Sequence, residues 1–79
     1  MSKLIQTSVD VTAEQGWPMF FFYQKKRRVE RIFDFWREQG RWWQQEQELH
    51  IFKVVADGSL FELHYLPQSA AWQLYRIYD

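Results

Sequence analysis

Seventy-nine residues with ten Lys/Arg against ten Asp/Glu make one domain's worth of chain with no net charge, so bulk electrostatics point to no polyanionic partner. Aromatic residues make up 20% and apolar residues 47% of the sequence, which excludes a disordered chain and supplies a core that needs no staples. Cys is absent, which excludes disulfides, thiolate metal sites and a thiol nucleophile.

Residues 1–15 show neither a basic start followed by an apolar run nor a small-residue cleavage site, and the longest apolar stretch, Trp17–Tyr23, is far too short for a membrane span. The expectation is a soluble, cytoplasmic protein with no membrane association. It folds as a single domain over 1–79, with residues 1–15 as an N-terminal strand free to fray.

Ile5, Thr7, Val9 and Val11 alternate with polar residues, the pattern of a half-buried strand. A turn at Gly16 leads into Trp17–Tyr23, apolar on both faces and rich in β-formers, with Pro18 suited to a strand start or an edge. Residues 28–38 read two ways. Val29, Ile32, Phe33 and Trp36 fit a helical stripe stopped by Gly40, but no capping residue precedes them and half of residues 28–37 are β-branched or aromatic. The strand reading is preferred, as a return paired with residues 17–23, and the four apolar residues are expected inside in either case.

Asp57-Gly58 between two apolar runs is the strongest short-range hairpin signal. Together with the turn at residues 67–70 it predicts a three-stranded antiparallel meander over residues 47–78. Six strands with short turns predict an all-β domain, a small antiparallel barrel or a strongly twisted six-stranded sheet. The alternative is an α+β domain with a helix at about 28–38.

The charge is unevenly placed. Residues 25–41 hold seven cations and three acids, a local +4. Within that stretch stand Lys25, Lys26, Arg27 and Arg28 in a row, then Arg31, Arg37 and Arg41, with Trp36 among them and Trp42 and Trp43 directly after. Rings that stack on bases beside cations that follow phosphates are what single-stranded nucleic acid requires. The competing explanation is plainer: a solvated basic turn, with the surplus rings in the core or at a protein interface. The candidate nucleic-acid or partner-binding residues are therefore Lys25, Lys26, Arg27, Arg28, Arg31, Arg37, Arg41, Trp42 and Trp43. His50, His64 and Glu62 are read as ordinary strand residues, although Glu62 and His64 would share one strand face. Two His without a third ligand make no zinc site, no nucleophile motif is present and no glycine-rich phosphate loop occurs. No metal, no cofactor and no enzymatic activity are expected.

In order along the chain stand Phe20–Tyr23, Val29-Glu30-Arg31-Ile32 with Trp36, Arg41-Trp42-Trp43, the acidic Glu46–Glu48, Asp57-Gly58 with Glu62-Leu63-His64-Tyr65, and the ending from Trp72 to Asp79. Over residues 17–79 this order resembles an uncharacterised family of small bacterial domains found beside, or joined to, translesion (SOS mutagenesis) DNA polymerase cassettes. Where such sequences carry a Gly in the first hairpin turn, this one has Lys25-Lys26. The resemblance implies association with DNA damage tolerance and brings no catalytic residues with it. The expected function is a non-catalytic accessory module that binds a protein partner and, through the basic–aromatic stretch, nucleic acid. The alternatives are a direct single-stranded nucleic-acid binder and a homo-oligomeric structural module, such as a homodimer.

Overall fold

A computed structural model of the protein describes residues 2–39 and 48–78. Among them eight strands form two antiparallel sheets, and no helix occurs. In chain order the strands are β1 (Ser2–Ser8), β2 (Val11–Glu14), β3 (Trp17–Tyr23), β4 (Lys25–Arg28), β5 (Arg31–Gln39), β6 (Glu48–Ala56), β7 (Ser59–Leu66) and β8 (Ala71–Tyr78). The larger sheet runs β1-β8-β7-β6-β5 and the smaller β2-β3-β4. The all-β reading holds. Residues 31–39 are strand, so the helical alternative over 28–38 is overturned.

Eight strands stand where six were expected because two chain segments bend and change sheets. At Val9-Asp10 the chain leaves the large sheet for the small one. Val9 N still donates to Trp72 O at 3.3 Å, while Asp10 O already accepts from Phe22 N at 2.9 Å. At Val29-Glu30 it returns, with Val29 N donating to Met19 O at 2.9 Å and Glu30 N to Val55 O at 2.7 Å. These backbone groups at both corners are thus paired as the chain passes from one sheet to the other. Neither sheet closes on itself as a barrel. The two face each other and share their bent edges.

The same corner corrects a pairing. Residues 25–28 pair with β3, through Phe21↔Arg27 and Tyr23↔Lys25, whereas residues 31–39 pair with β6. Of the 28–38 segment, Arg28 ends β4 opposite Phe20, residues 29–30 form the corner, and the strand over 31–38 pairs with β6 and not with residues 17–23.

The C-terminal meander forms as the alternation predicts, with Asp57-Gly58 at its first turn (φ 52° and 75°). Its inward side chains make three rows across the large sheet: Ile32, Val54, Phe61, Ile77 and Lys3; then Phe35, Phe52, Leu63, Leu74 and Thr7; then Arg37, His50, Tyr65 and Trp72. Phe21 of the small sheet packs into the middle of these, 5.1 Å from the Phe61 ring. The core is Phe21, Phe52, Val54, Ala56, Phe61, Leu63 and Leu74. Val29 and Ile32 pack against it as expected, but Phe33 and Trp36 do not. A register shift between Ile32 and Asp34 leaves Phe33 as an extra residue, 56% exposed, and Trp36 pairs with Ile51 on the outer face.

Candidate functional site

Three arrangements of side chains stand out, one at each end of the sandwich and one on the outer face of the large sheet.

At the first end Trp17 from the small sheet meets the second inward row, and the third row extends the stack beside it. Trp17 packs edge-on against Phe35 (5.3 Å between centroids) and Phe52 (5.8 Å), and the stack continues through Trp72 (5.4 Å from Phe52) to Tyr65 (4.6 Å from Trp72). His50 lies edge-on to Phe35 and near Tyr65. It also bonds through Nε2 to Glu48 Oε2 at 3.1 Å, and Arg37 Nη1 stands 3.7 Å from the same oxygen. Sequence causes this directly: β5 and β6 are nine residues each, longer than the seven of β3, so their inward rings run past the small sheet. Trp17 (45% exposed) and Phe35 (37%) remain open to solvent while held by neighbours on several sides. The result is a fixed aromatic shelf with a polar rim.

The other end holds the basic run. Arg27 faces inward beside Phe21, whereas Lys26 and Arg28 lie on the outer face with Phe22 and Phe20. Arg27 is pinned: Nε donates to Tyr23 O at 3.0 Å, Nη1 donates to Asp57 Oδ2 at 3.0 Å, and the guanidinium lies 5.3 Å from the Phe61 ring. Lys25 Nζ is 3.7 Å from the same carboxylate. Lys26 Nζ sits 4.3 Å from the Phe20 ring centroid, and Phe22 beside it is 55% exposed.

On the outer face of the large sheet Glu62 and His64 are each only 8% exposed. His64 Nε2 bonds to Glu62 Oε2 at 2.6 Å, the Tyr78 hydroxyl donates to Glu62 Oε1 at 2.5 Å, and the His64 ring stacks on Tyr75 at 4.2 Å. Burial pushes the Glu62 carboxyl upward. The bonds from Tyr78 and His64, with the charge of His64 and of Lys53, outweigh it and hold the pKa below the ordinary carboxylate value. Burial, the bond to Glu62 and that carboxylate's charge together push the Tyr78 phenol up to about 12. Both groups stay in one protonation state near neutrality. That suits a structural clasp, since a general acid or base needs a pKa near the working pH. Among the described residues no group of three His, Asp or Glu could hold a metal ion.

Of the nine residues singled out in the sequence, the six that the structure describes do not share one surface. Lys25, Lys26, Arg27 and Arg28 lie in β4; Arg31 and Arg37 lie at opposite ends of β5, about 20 Å apart at ~3.3 Å per residue. Arg41, Trp42 and Trp43 lie outside the described residues. Sequence reasoning passed over Trp17, Phe35, Tyr65 and Trp72 because each reads as core in its own strand. The available signal was Trp17 immediately before Pro18, a large ring at a strand start, where cover is least.

No protein-family model, no curated protein and no solved structure matches the chain. Among the described residues no helix is long and apolar enough to cross a membrane.

Proposed function

We propose that this protein is a non-catalytic, cytoplasmic accessory module that captures a protein partner on its aromatic shelf, in the setting of DNA damage tolerance that the family resemblance implies. The observation that carries the reading is the Trp17–Phe35 pair. Two large rings are left 45% and 37% exposed yet locked edge-to-face at 5.3 Å. Rigid aromatic anchors lose little side-chain entropy on docking, and such residues dominate binding energy at protein interfaces. The His50–Glu48–Arg37 cluster beside them supplies the polar rim that such interfaces carry.

The test is affinity capture from source cells followed by mass spectrometry, with native protein beside a Trp17→Ala/Phe35→Ala variant whose folding is checked by circular dichroism. Proteins of the DNA replication or repair machinery held by the native chain and lost by the variant support the reading. Identical capture by both sinks it.

A second reading has its own observation. Lys26, Arg28, Phe20 and Phe22 place cations and rings together on the outer face of the small sheet, the combination that binds single-stranded nucleic acid. Titration with a labelled oligonucleotide at several salt concentrations tests it, because phosphate contacts make affinity fall steeply with salt.

A further inference from the structure

We infer that the open mouth of the sandwich between β1, β7, β8 and the β3–β4 hairpin is a binding site for a small phosphate monoester attached to a ring. This is distinct from the protein-docking reading, since it lies at the opposite end of the sandwich from the aromatic shelf.

A cavity of about 290 Å³ opens there. Its floor is Phe61 and Ile77, neighbours in the first inward row, and Lys3 ends that row directly opposite Ile77. Its roof is the hairpin, which brings Tyr23, Gln24 and Arg27 over the floor, and Ser59 closes one side. The lining thus combines two cations, two hydroxyls and a carboxamide with an apolar base, so that hydrogen-bond donors for an anion converge over it.

Arg27 is the organising residue. A free arginine side chain would lose much rotamer entropy on gripping an anion. Here the guanidinium is already set, its side chain only 14% exposed, by the Tyr23 carbonyl on Nε, Asp57 on Nη1 and the Phe61 ring beneath. Those contacts leave the two N–H groups of Nη2 to donate charge-assisted hydrogen bonds to an anion. Asp57 offsets part of the charge, but Lys25 shares that carboxylate and Lys3 adds a further cation. The net balance of Lys3, Lys25, Arg27 and Asp57 is two positive charges, which matches a phosphate monoester better than a monoanionic carboxylate. The cavity lies at the small end of the range for ligand pockets, which limits the body to about one ring system resting beside Ile77 on the cavity floor.

The test is a ¹H–¹⁵N NMR titration of the full chain with phenyl phosphate, with inorganic phosphate and benzoate in parallel. The expected result is saturable shifts at Lys3, Gln24, Arg27 and Ser59, with phenyl phosphate bound more tightly than either fragment. Lys3→Gln, an exposed change that leaves the core untouched, should weaken phenyl phosphate about tenfold, the value of one charge-assisted hydrogen bond. Lys26→Gln/Arg28→Gln, on the other face of the hairpin, should leave it unchanged. No saturation by ~10 mM, equal binding of benzoate, or insensitivity to Lys3→Gln would each overturn the assignment.

Discussion

Tyr78 closes over Glu62 from the neighbouring strand, its hydroxyl 2.5 Å from Oε1, so that a carboxylate on the outward face of a sheet is only 8% exposed. The partners on its two oxygens differ in kind, a phenol on one and an imidazole on the other. The acid and alkaline limits of stability therefore belong to the same clasp.

For Glu62 the folded pKa is lowered, so its contribution is present above the unfolded value of roughly 4.3 and is lost as pH falls through the folded value. For Tyr78 the folded pKa is raised to about 12, so its contribution is intact below roughly 10 and is lost as pH rises toward the folded value. Urea unfolding between pH 2 and pH 12 should show native stability falling at both ends. Glu62→Gln should flatten the acid limb and Tyr78→Phe the alkaline one. An acid limb that is the same in Glu62→Gln as in the native protein would refute the assignment.

Gln24 turns the β3–β4 hairpin with φ 68°, a left-handed conformation that costs a non-glycine residue about 1 kcal/mol. Gln24→Gly should raise stability by about 0.5–1 kcal/mol. At Gly58 (φ 75°) nothing lies within 4 Å of an added Cβ, so Gly58→Val should cost about 1–3 kcal/mol through the backbone alone. Thermal denaturation of the two variants should move the melting temperature in opposite directions. A neutral Gly58→Val would show that the turn relaxes.

The shelf and the core separate by their effect on folding. Leu63→Ala, at a fully buried position of the middle row, should cost about 2–5 kcal/mol. Trp17→Ala removes two edge-to-face contacts from a ring already half in water, at about 1–3 kcal/mol for the two. Partner capture should nevertheless fail in Trp17→Ala at a temperature where the variant remains folded. Capture undiminished in that variant would locate the docking surface elsewhere.

If the outer face of the small sheet binds nucleic acid, Lys26→Gln/Arg28→Gln should shallow the log–log salt slope by about 0.7 per lost phosphate contact. Phe22→Ala should lower affinity at unchanged slope, because stacking is not ionic. Filter binding at several salt concentrations distinguishes the two effects, and a slope unaltered by loss of both cations would exclude that face.

Much of the architecture was legible because its signals are local. Asp57-Gly58 between alternating runs defines β6 and β7, and the Ile5–Val11 alternation gives the half-buried edge that bends at Val9. The inserted residues were not legible. Phe33 in β5 and Tyr75 in β8 are each an extra residue in an otherwise regular ladder, and one such insertion reverses the face of every side chain beyond it. That is why Trp36 lies outside, and why Tyr75 and Tyr78 reach His64 and Glu62 on a face where simple alternation gives no reason to join them. The basic run was legible as charge but not as a surface. Which of its four residues turn inward depends on the partner strand, and only Phe21 opposite Arg27 decides it.

Of the six strand pairings among the described residues, five join strands consecutive in the chain, and the sixth joins β1 to β8. The consecutive pairs close short loops and can form early, whereas bringing Ser2 beside Tyr78 must await nearly all of the chain between them. The β1–β8 seam is therefore the last to zip and the first to part. Weakening it at Thr7, opposite Leu74, should accelerate unfolding while leaving the folding arm of the chevron almost where it was, so the lifetime of the native state is governed by a strand that contributes little to reaching it.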